Sequence, residues 1–261
     1  MEGIKSKLHC TLLQVPLEWE APEKNRVLLE NYLQSVGVTD LILLPEMFTS
    51  GFTMHPERVA EPMKGYTLNW MQQWAQKKGA LVGGSLVIEE QGQYFNRFVM
   101  VGSQGCVSYY DKRHTFTLAG EDKAYTTGTN TGLFEYNGWK ICMRICYDLR
   151  FPVWSRNTSD YDLLIYVANW PKPRILAWDT LLQARAIENM SYVVGVNRVG
   201  TDEKGHEYPG HSAAYDALGH CCSEGDSTAR GVHSATLDYQ ELQAHRKKLR
   251  FLEDRDNFDL Y

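Results

Sequence analysis

This sequence predicts an α/β (α+β) architecture of two apolar-faced sheets with helices on their outer sides. Strand-like and helix-like segments alternate along the chain. Leu41-Ile42-Leu43-Leu44-Pro45 is an unbroken apolar run, which marks a strand covered on both faces. Hairpin signals punctuate the middle of the chain, the strongest being Asn137-Gly138 between Leu133–Tyr136 and Trp139–Tyr147.

The first strand is read at Leu8–Val15. Pro22–Val36 follows as a helix, with Val27, Leu28, Tyr32, Leu33 and Val36 at helical spacing. After the Leu41–Leu44 run, Leu68, Met71, Trp74 and Ala75 mark a second helix. Lys77-Lys78-Gly79 ends it, because cations and a glycine suit a helix C-terminus. Strands at Ala80–Glu89 and Tyr94–Val101 flank Gln91-Gly92, and another at Cys106–Tyr110 follows Gln104-Gly105. The remainder reads as strand Leu163–Ala168, helix Ile175–Met190, strand Tyr192–Val199 and a last strand pair near Ala213–Ala217 and Val232–Leu237. No linker, repeat or charge block interrupts this order, so residues 1–261 are expected to form one domain.

A chain of 261 residues buries a large core without disulfides or metal. Its net charge of −5 argues against nucleic acid or an anionic membrane as the main partner. The opening MEGIKSKLHCTLLQVP lacks the apolar stretch of a signal peptide and no run of 18 apolar residues occurs, so a soluble, cytoplasmic protein is expected. The six cysteines are accordingly read as free thiols. Cys142 and Cys146, four strand residues and ~13 Å apart, are too distant for a disulfide. No Cys-x-x-Cys or His-x-x-x-His spacing suggests a metal site.

Three functional groups stand at strand ends, where open α/β sheets gather their ligand sites. Cys146 ends ICMRIC, just before Tyr147-Asp148-Leu149-Arg150. A cytoplasmic cysteine is by default a small buried hydrophobe. Here Arg144 shares its strand face, and a nearby cation would favour the nucleophilic thiolate. Glu46 follows the apolar run, where a carboxylate is costly unless paired or exposed, and suits either a turn acid or a general base. Lys112 follows CVSYYD and is either part of a solvated cluster with Arg113 and His114 or a fixed charge beside a developing oxyanion. Taken singly, none of the three decides the function.

Together, and in this order, they form a pattern. LLPEMF holds Glu46, YDKRH holds Lys112 and RICYDLRFP holds Cys146. LAGEDKAYTTG adds Glu121, and LLQARAIEN at Leu181–Asn189 and GHSAAYDALG at Gly210–Gly219 extend the match over nearly the whole chain. The chain thereby resembles the nitrilase (carbon–nitrogen hydrolase) superfamily and, within it, the ω-amidase branch, most closely the bacterial YafV-type enzymes. The resemblance implies a four-layer αββα sandwich, usually dimerised. A homodimer is therefore expected, with the tail at about 250–261 either a free end or a strand exchanged across the dimer interface. It also implies that Glu46 is the general base, Cys146 the nucleophile and Lys112 the stabiliser of the tetrahedral intermediate. Glu121 would position substrate or assist proton transfer, and the Tyr147 backbone N–H would join Lys112 at the oxyanion. No metal or organic cofactor has a task in that chemistry. His211 in GHSAAYD is expected to make a structural hydrogen bond rather than act as a base.

Enzymes of the ω-amidase branch hydrolyse the terminal amide of 2-oxoglutaramate or 2-oxosuccinamate, so the expected partner is a small carboxylated amide. Its carboxylate needs a cation. Arg150 is the candidate, since a guanidinium can hold a carboxylate bidentately; the alternative is a structural pairing with an acid. Trp170 and Phe52 are candidate pocket walls, although such rings mostly pack cores. Two other readings remain: a different superfamily substrate (a nitrile, an N-carbamoyl amino acid or deaminated glutathione), and a non-catalytic binding module.

Overall fold

The computed structural model describes residues 3–259. Strand β1 (Lys7–Gln14) leads into helix α1 (Pro22–Ser35), which opens on proline, a residue suited to the first helical turn. Strand β2 (Leu41–Leu43) and a long loop precede helix α2 (Tyr66–Lys78), closed by Gly79 at φ 63° as the Lys-Lys-Gly ending predicts. Strands β3 (Leu81–Glu90), β4 (Gln93–Gly102) and β5 (Gly105–Asp111) form a meander, followed by the single turn α3 (Glu121–Ala124). The hairpin of β6 (Leu133–Tyr136) and β7 (Trp139–Ile145) turns through Asn137 at φ 50° and Gly138 at φ 80°, the left-handed pair that Asn-Gly accommodates. Helix α4 (Pro152–Ser155), strand β8 (Leu163–Ala168), helix α5 (Ile175–Asn189) and strand β9 (Tyr192–Asn197) come next. The chain continues through β10 (Val199–Thr201), β11 (Glu207–Pro209), β12 (Ala213–Tyr215), β13 (Ser223–Glu224), β14 (Gly231–Asp238) and helix α6 (Tyr239–Leu249).

Seven strands form one sheet in the order β13-β14-β1-β2-β3-β4-β5, and five form a second in the order β12-β9-β8-β7-β6. The sheets face each other, with Leu12, Leu43 and Met100 of the first sharing one buried cluster with Ile141, Met143 and Ile165 of the second. Helices α1 and α2 cover the outer face of the seven-stranded sheet through Leu29, Leu33, Met71 and Trp74. Helix α5 covers the other sheet through Trp178, Leu182 and Ala186. The result is four layers, α-β-β-α. Leu41 and Leu43 face the inter-sheet core while Ile42 and Leu44 face the helices, which is why that run has no polar alternation.

Three sequence expectations need correction. Ala213–Ala217 and Val232–Leu237 are not a pair: β12 runs antiparallel to β9 and β14 antiparallel to β1, in opposite sheets. Ala235 and Leu237 of β14 belong to the inter-sheet core, and an eight-residue register with β1 buries them there. Strand β7 also stops at Ile145, two residues short of Tyr147, because Cys146 turns away at φ 44°. The third is an omission: the β10–β11 hairpin and helix α6 were not foreseen, although Asp238 caps α6 by accepting the amides of Gln240 and Glu241, a start signal visible in sequence. In the tail, Arg255 pairs with Asp160 at 2.7 Å on the same chain, and positions 260–261 lie outside the described residues. No helix among the described residues is long and apolar enough to cross a membrane.

Gly84 on β3 lets the turn that carries Glu46 lie close against the sheet. A Cβ there would come within 2.8 Å of Phe48 Cδ1 and 2.9 Å of Leu44 Cβ, on either side of Glu46. Gly84→Val is expected to cost about 1–3 kcal/mol as overpacking, read as a lower midpoint in urea. An unchanged midpoint would mean that this contact does not constrain the turn.

Candidate active site

Parallel pairing of β2 with β3, and of β7 with β8 and β9, sends the C-terminal ends of these strands to one edge of their sheets. Glu46 sits in the turn after β2, Lys112 follows β5, Cys146 follows β7 and Asn169 follows β8. Both turns that carry the predicted base and nucleophile pass through a left-handed non-glycine residue: Met47 at φ 45° and Cys146 itself at φ 44°. Such conformations cost on the order of 1–3 kcal/mol and persist where surrounding contacts over-determine them.

Those contacts centre on Lys112. Its Nζ donates to Glu46 Oε1 at 2.9 Å and to both oxygens of Glu121 at 3.0 and 2.9 Å. Asn96 Nδ2 donates to Glu46 Oε1 at 2.8 Å and to Glu121 Oε1 at 3.2 Å. The second Glu46 oxygen accepts the Asn169 backbone N–H at 2.8 Å, and the second Glu121 oxygen accepts the Phe116 N–H at 2.5 Å. Burial works against the Lys112 charge, but Glu121 and Glu46 outweigh it and hold the ammonium above its ordinary range. Burial raises the Glu121 carboxyl, and Glu46 adds to this while Lys112 opposes it. Glu121 is fully buried, and its contacts are Lys112, Asn96 and the Phe116 N–H.

Cys146 is half-buried and lines the adjoining cleft. Burial pushes its thiol well above the ordinary range, the Glu46 charge adds to this, Lys112 opposes it and Glu121 adds again. The expectation that Arg144 would lower it is corrected by geometry. That guanidinium is turned to the carbonyls of Thr131, Met143 and Trp154 at 2.7–2.8 Å. The cation acting on the sulfur is Lys112. The Cys146 turn is fixed by Asp148, which is fully buried. Asp148 Oδ2 accepts the Ile145 N–H at 3.0 Å and the Tyr110 hydroxyl at 2.8 Å. Asp148 Oδ1 accepts the His114 N–H at 3.1 Å and meets the His114 ring at 2.8 Å. One carboxylate thus ties the Cys146 turn to the segment that carries Lys112.

The cleft has a volume of about 360 Å³. Every predicted substrate-binding residue lines it: Tyr147, Arg150, Trp170 and Phe52. Arg150 lies over the Trp170 ring at 5.0 Å and has no ion pair among the described residues, so the structural-pairing alternative is not what the structure shows. Phe52 also stands beside the ammonium, its ring 5.1 Å from Lys112 Nζ. His211 is elsewhere employed: its ring meets the Asp179 carboxylate at 3.0 Å, the structural bond expected of it. Among the described residues no cluster of three or more His, Cys, Asp or Glu is set to hold a metal ion. Asn96, Asn169 and Asp148 were missed by sequence reasoning. Asn169 carries the same signal as Glu46, a polar group directly after a fully apolar strand; Asn96 stands beside Arg97 in β4 and carries no such signal.

The family model described as carbon-nitrogen hydrolase matches residues 10–247. An omega-amidase YafV from Yersinia enterocolitica is 44% identical over 97% of this chain and 98% of its own. The 2-oxoglutaramate amidase of Bacillus subtilis is 31% identical over 95% of this chain and 97% of its own. The crystal structure of a CN-hydrolase superfamily protein from Xanthomonas campestris, with an arsenic adduct in its active site, superimposes with a TM-score of 0.95. It is 38% identical and covers 98% of this chain and 100% of that one.

Asp148→Asn places an amide donor against groups that themselves donate. It is expected to lower kcat about 10²-fold by displacing the Cys146 turn, with KM little moved; a kcat within twofold of wild type would remove Asp148 from any positioning role. The raised thiol carries a second expectation. Alkylation of Cys146 by iodoacetamide in the resting protein should quicken steadily from pH 6 to pH 9, because the neutral thiol must first lose its proton. A rate independent of pH across that window would mean a preformed thiolate.

Proposed function

Because this chain belongs to the carbon–nitrogen hydrolase family, we propose that its cleft is that of an ω-amidase. It hydrolyses the terminal amide of 2-oxoglutaramate or 2-oxosuccinamate to the 2-oxo dicarboxylate and ammonia. One arrangement carries the reading: a thiol on the cleft wall, backed by a buried carboxylate–ammonium–carboxylate cluster, with the guanidinium of Arg150 in the same cleft. The full-length similarity to an omega-amidase and to a 2-oxoglutaramate amidase supports the substrate.

The reaction follows from the charges. With the resting thiol protonated, Glu46 takes its proton as the sulfur attacks the amide carbon, which avoids an isolated thiolate. Negative charge develops on the amide oxygen, where the Lys112 ammonium and the Tyr147 backbone N–H stabilise it; one such donor is worth on the order of 10²–10³ in rate. All three Lys112 N–H bonds point at carboxylate oxygens in the resting site, so the ammonium trades one Glu121 contact for the oxyanion. The C–N bond breaks as the proton held by Glu46 passes to the departing nitrogen, leaving ammonia and a thioester. Glu46, ionised again, draws a proton from water, which attacks the thioester and releases the acid and the thiol. Arg150 holds the substrate carboxylate at the far end. The reading includes one hydrolase domain over residues 1–261, a cytoplasmic location and a homodimer, the last on superfamily habit.

Ammonia release from 2-oxoglutaramate is the direct test. Wild type should be active and Cys146→Ala should lose on the order of 10⁴-fold or more, as removal of a nucleophile does. A Cys146→Ala protein that keeps its activity rules the mechanism out. A higher kcat/KM on a nitrile or an N-carbamoyl amino acid moves the protein to another branch of the family.

A further inference from the structure

Two arginines share the cleft with Cys146, and the second has no task in the chemistry above. Arg174 lies over the Phe116 ring at 5.3 Å, as Arg150 lies over Trp170 at 5.0 Å. Stacking covers the face of a guanidinium and leaves its N–H edge open to a planar acceptor. Among the described residues neither arginine has a carboxylate partner. An acid, Asp202, also lines the cleft, but its oxygens are committed to its own loop. They accept the amides of Lys204 and His206 at 2.9 Å each and the Tyr208 hydroxyl at 2.9 Å. The cleft therefore keeps two forked cations in a chain whose net charge is −5.

Arg174 is also tied to the reacting groups through the backbone. It closes the six-residue segment that follows β8. At its start the Asn169 N–H holds Glu46 at 2.8 Å. Trp170 is the platform under Arg150, and its Nε1 donates to the Arg174 carbonyl at 2.7 Å. One short segment thus sets the base, the first guanidinium's platform and the position of the second guanidinium. A 2-oxo carboxylate presents three acceptor oxygens on adjacent carbons, one more than a single fork can take.

We propose that Arg174 is a specificity-determining residue that completes, with Arg150, a two-guanidinium clamp for the 2-oxo carboxylate end of the substrate; this rests on the amidase reading above. The amide end is thereby directed to Cys146. The substrate class is narrowed to amides carrying an anionic group at the far end, and unsubstituted alkyl amides are poor substrates.

The test compares kcat/KM on 2-oxoglutaramate and on glutaramate, its analogue without the 2-oxo group, with kcat/KM on the uncharged pentanamide. In Arg174→Gln the charged-to-uncharged ratio is expected to fall about 10²-fold or more, chiefly through KM. Arg174→Lys, which keeps the charge and loses the fork, should fall between. The Arg174 carbonyl that receives Trp170 is unchanged in both variants. A ratio that stays within twofold of wild type, or equal losses on charged and uncharged amides, overturns the clamp. Wild type that cleaves glutaramate and ignores 2-oxoglutaramate overturns the substrate assignment, and the glutaramate-to-pentanamide ratio still judges Arg174. Inactivity on all three amides overturns both.

Discussion

Burying the Lys112 ammonium between two carboxylates that are themselves sealed from solvent sets the terms for the rest of the site. Each buried ion costs several kcal/mol of lost hydration, and the attraction between them offsets this only when every remaining donor and acceptor is matched. Here the matching is close to complete. Asn96 bridges the two acids, while the backbone N–H groups of Asn169 and Phe116 take their remaining oxygens. The partners come from both sheets, so the cluster clamps the layers together at the edge where the strands end. Truncating one member leaves an unpaired buried charge, which is strongly destabilising.

The same cluster determines the state of the thiol. Two carboxylates against one ammonium leave the surroundings of Cys146 net negative, and burial adds to the cost of a thiolate. A raised thiol in this setting favours losing its proton to a base as the sulfur forms its bond. The Glu46 carboxylate is held by Asn96, Lys112 and Asn169, from three separate parts of the chain. Asp148 performs the companion task on the other side, holding the sharp turn at Cys146 and the Lys112 segment with one carboxylate.

The cleft divides the labour by charge. Its walls carry the Cys146 thiol and the aromatic rings of Trp170 and Phe116, over which the guanidinium groups of Arg150 and Arg174 lie. Rings such as Trp170 are expected to fill cores; here Trp170 is buried yet still presents a face to a cation. An aromatic platform holds an arginine without neutralising it, which a carboxylate partner would do. That arrangement preserves the positive potential for an incoming anion.

Much of this was legible in the sequence. Apolar periodicity and hairpin pairs such as Asn137-Gly138 located most strands and helices, because local backbone preference and burial pattern repeat at short range. Glu46, Lys112 and Cys146 stood out because each is a reactive group at a strand end. The motifs around them linked those three and Glu121 to one chemistry. What the chain alone left open was decided by contacts between distant segments. Arg144 looked like the cation for Cys146 from one strand's alternation, but the strand ends early and Lys112, from the other sheet, takes the part. The last two strands were read as partners and instead close opposite sheets. Which residue neutralises which, which sheet a strand joins, and which arginine stays unpaired depend on long-range packing and desolvation, and neighbouring residues do not encode those.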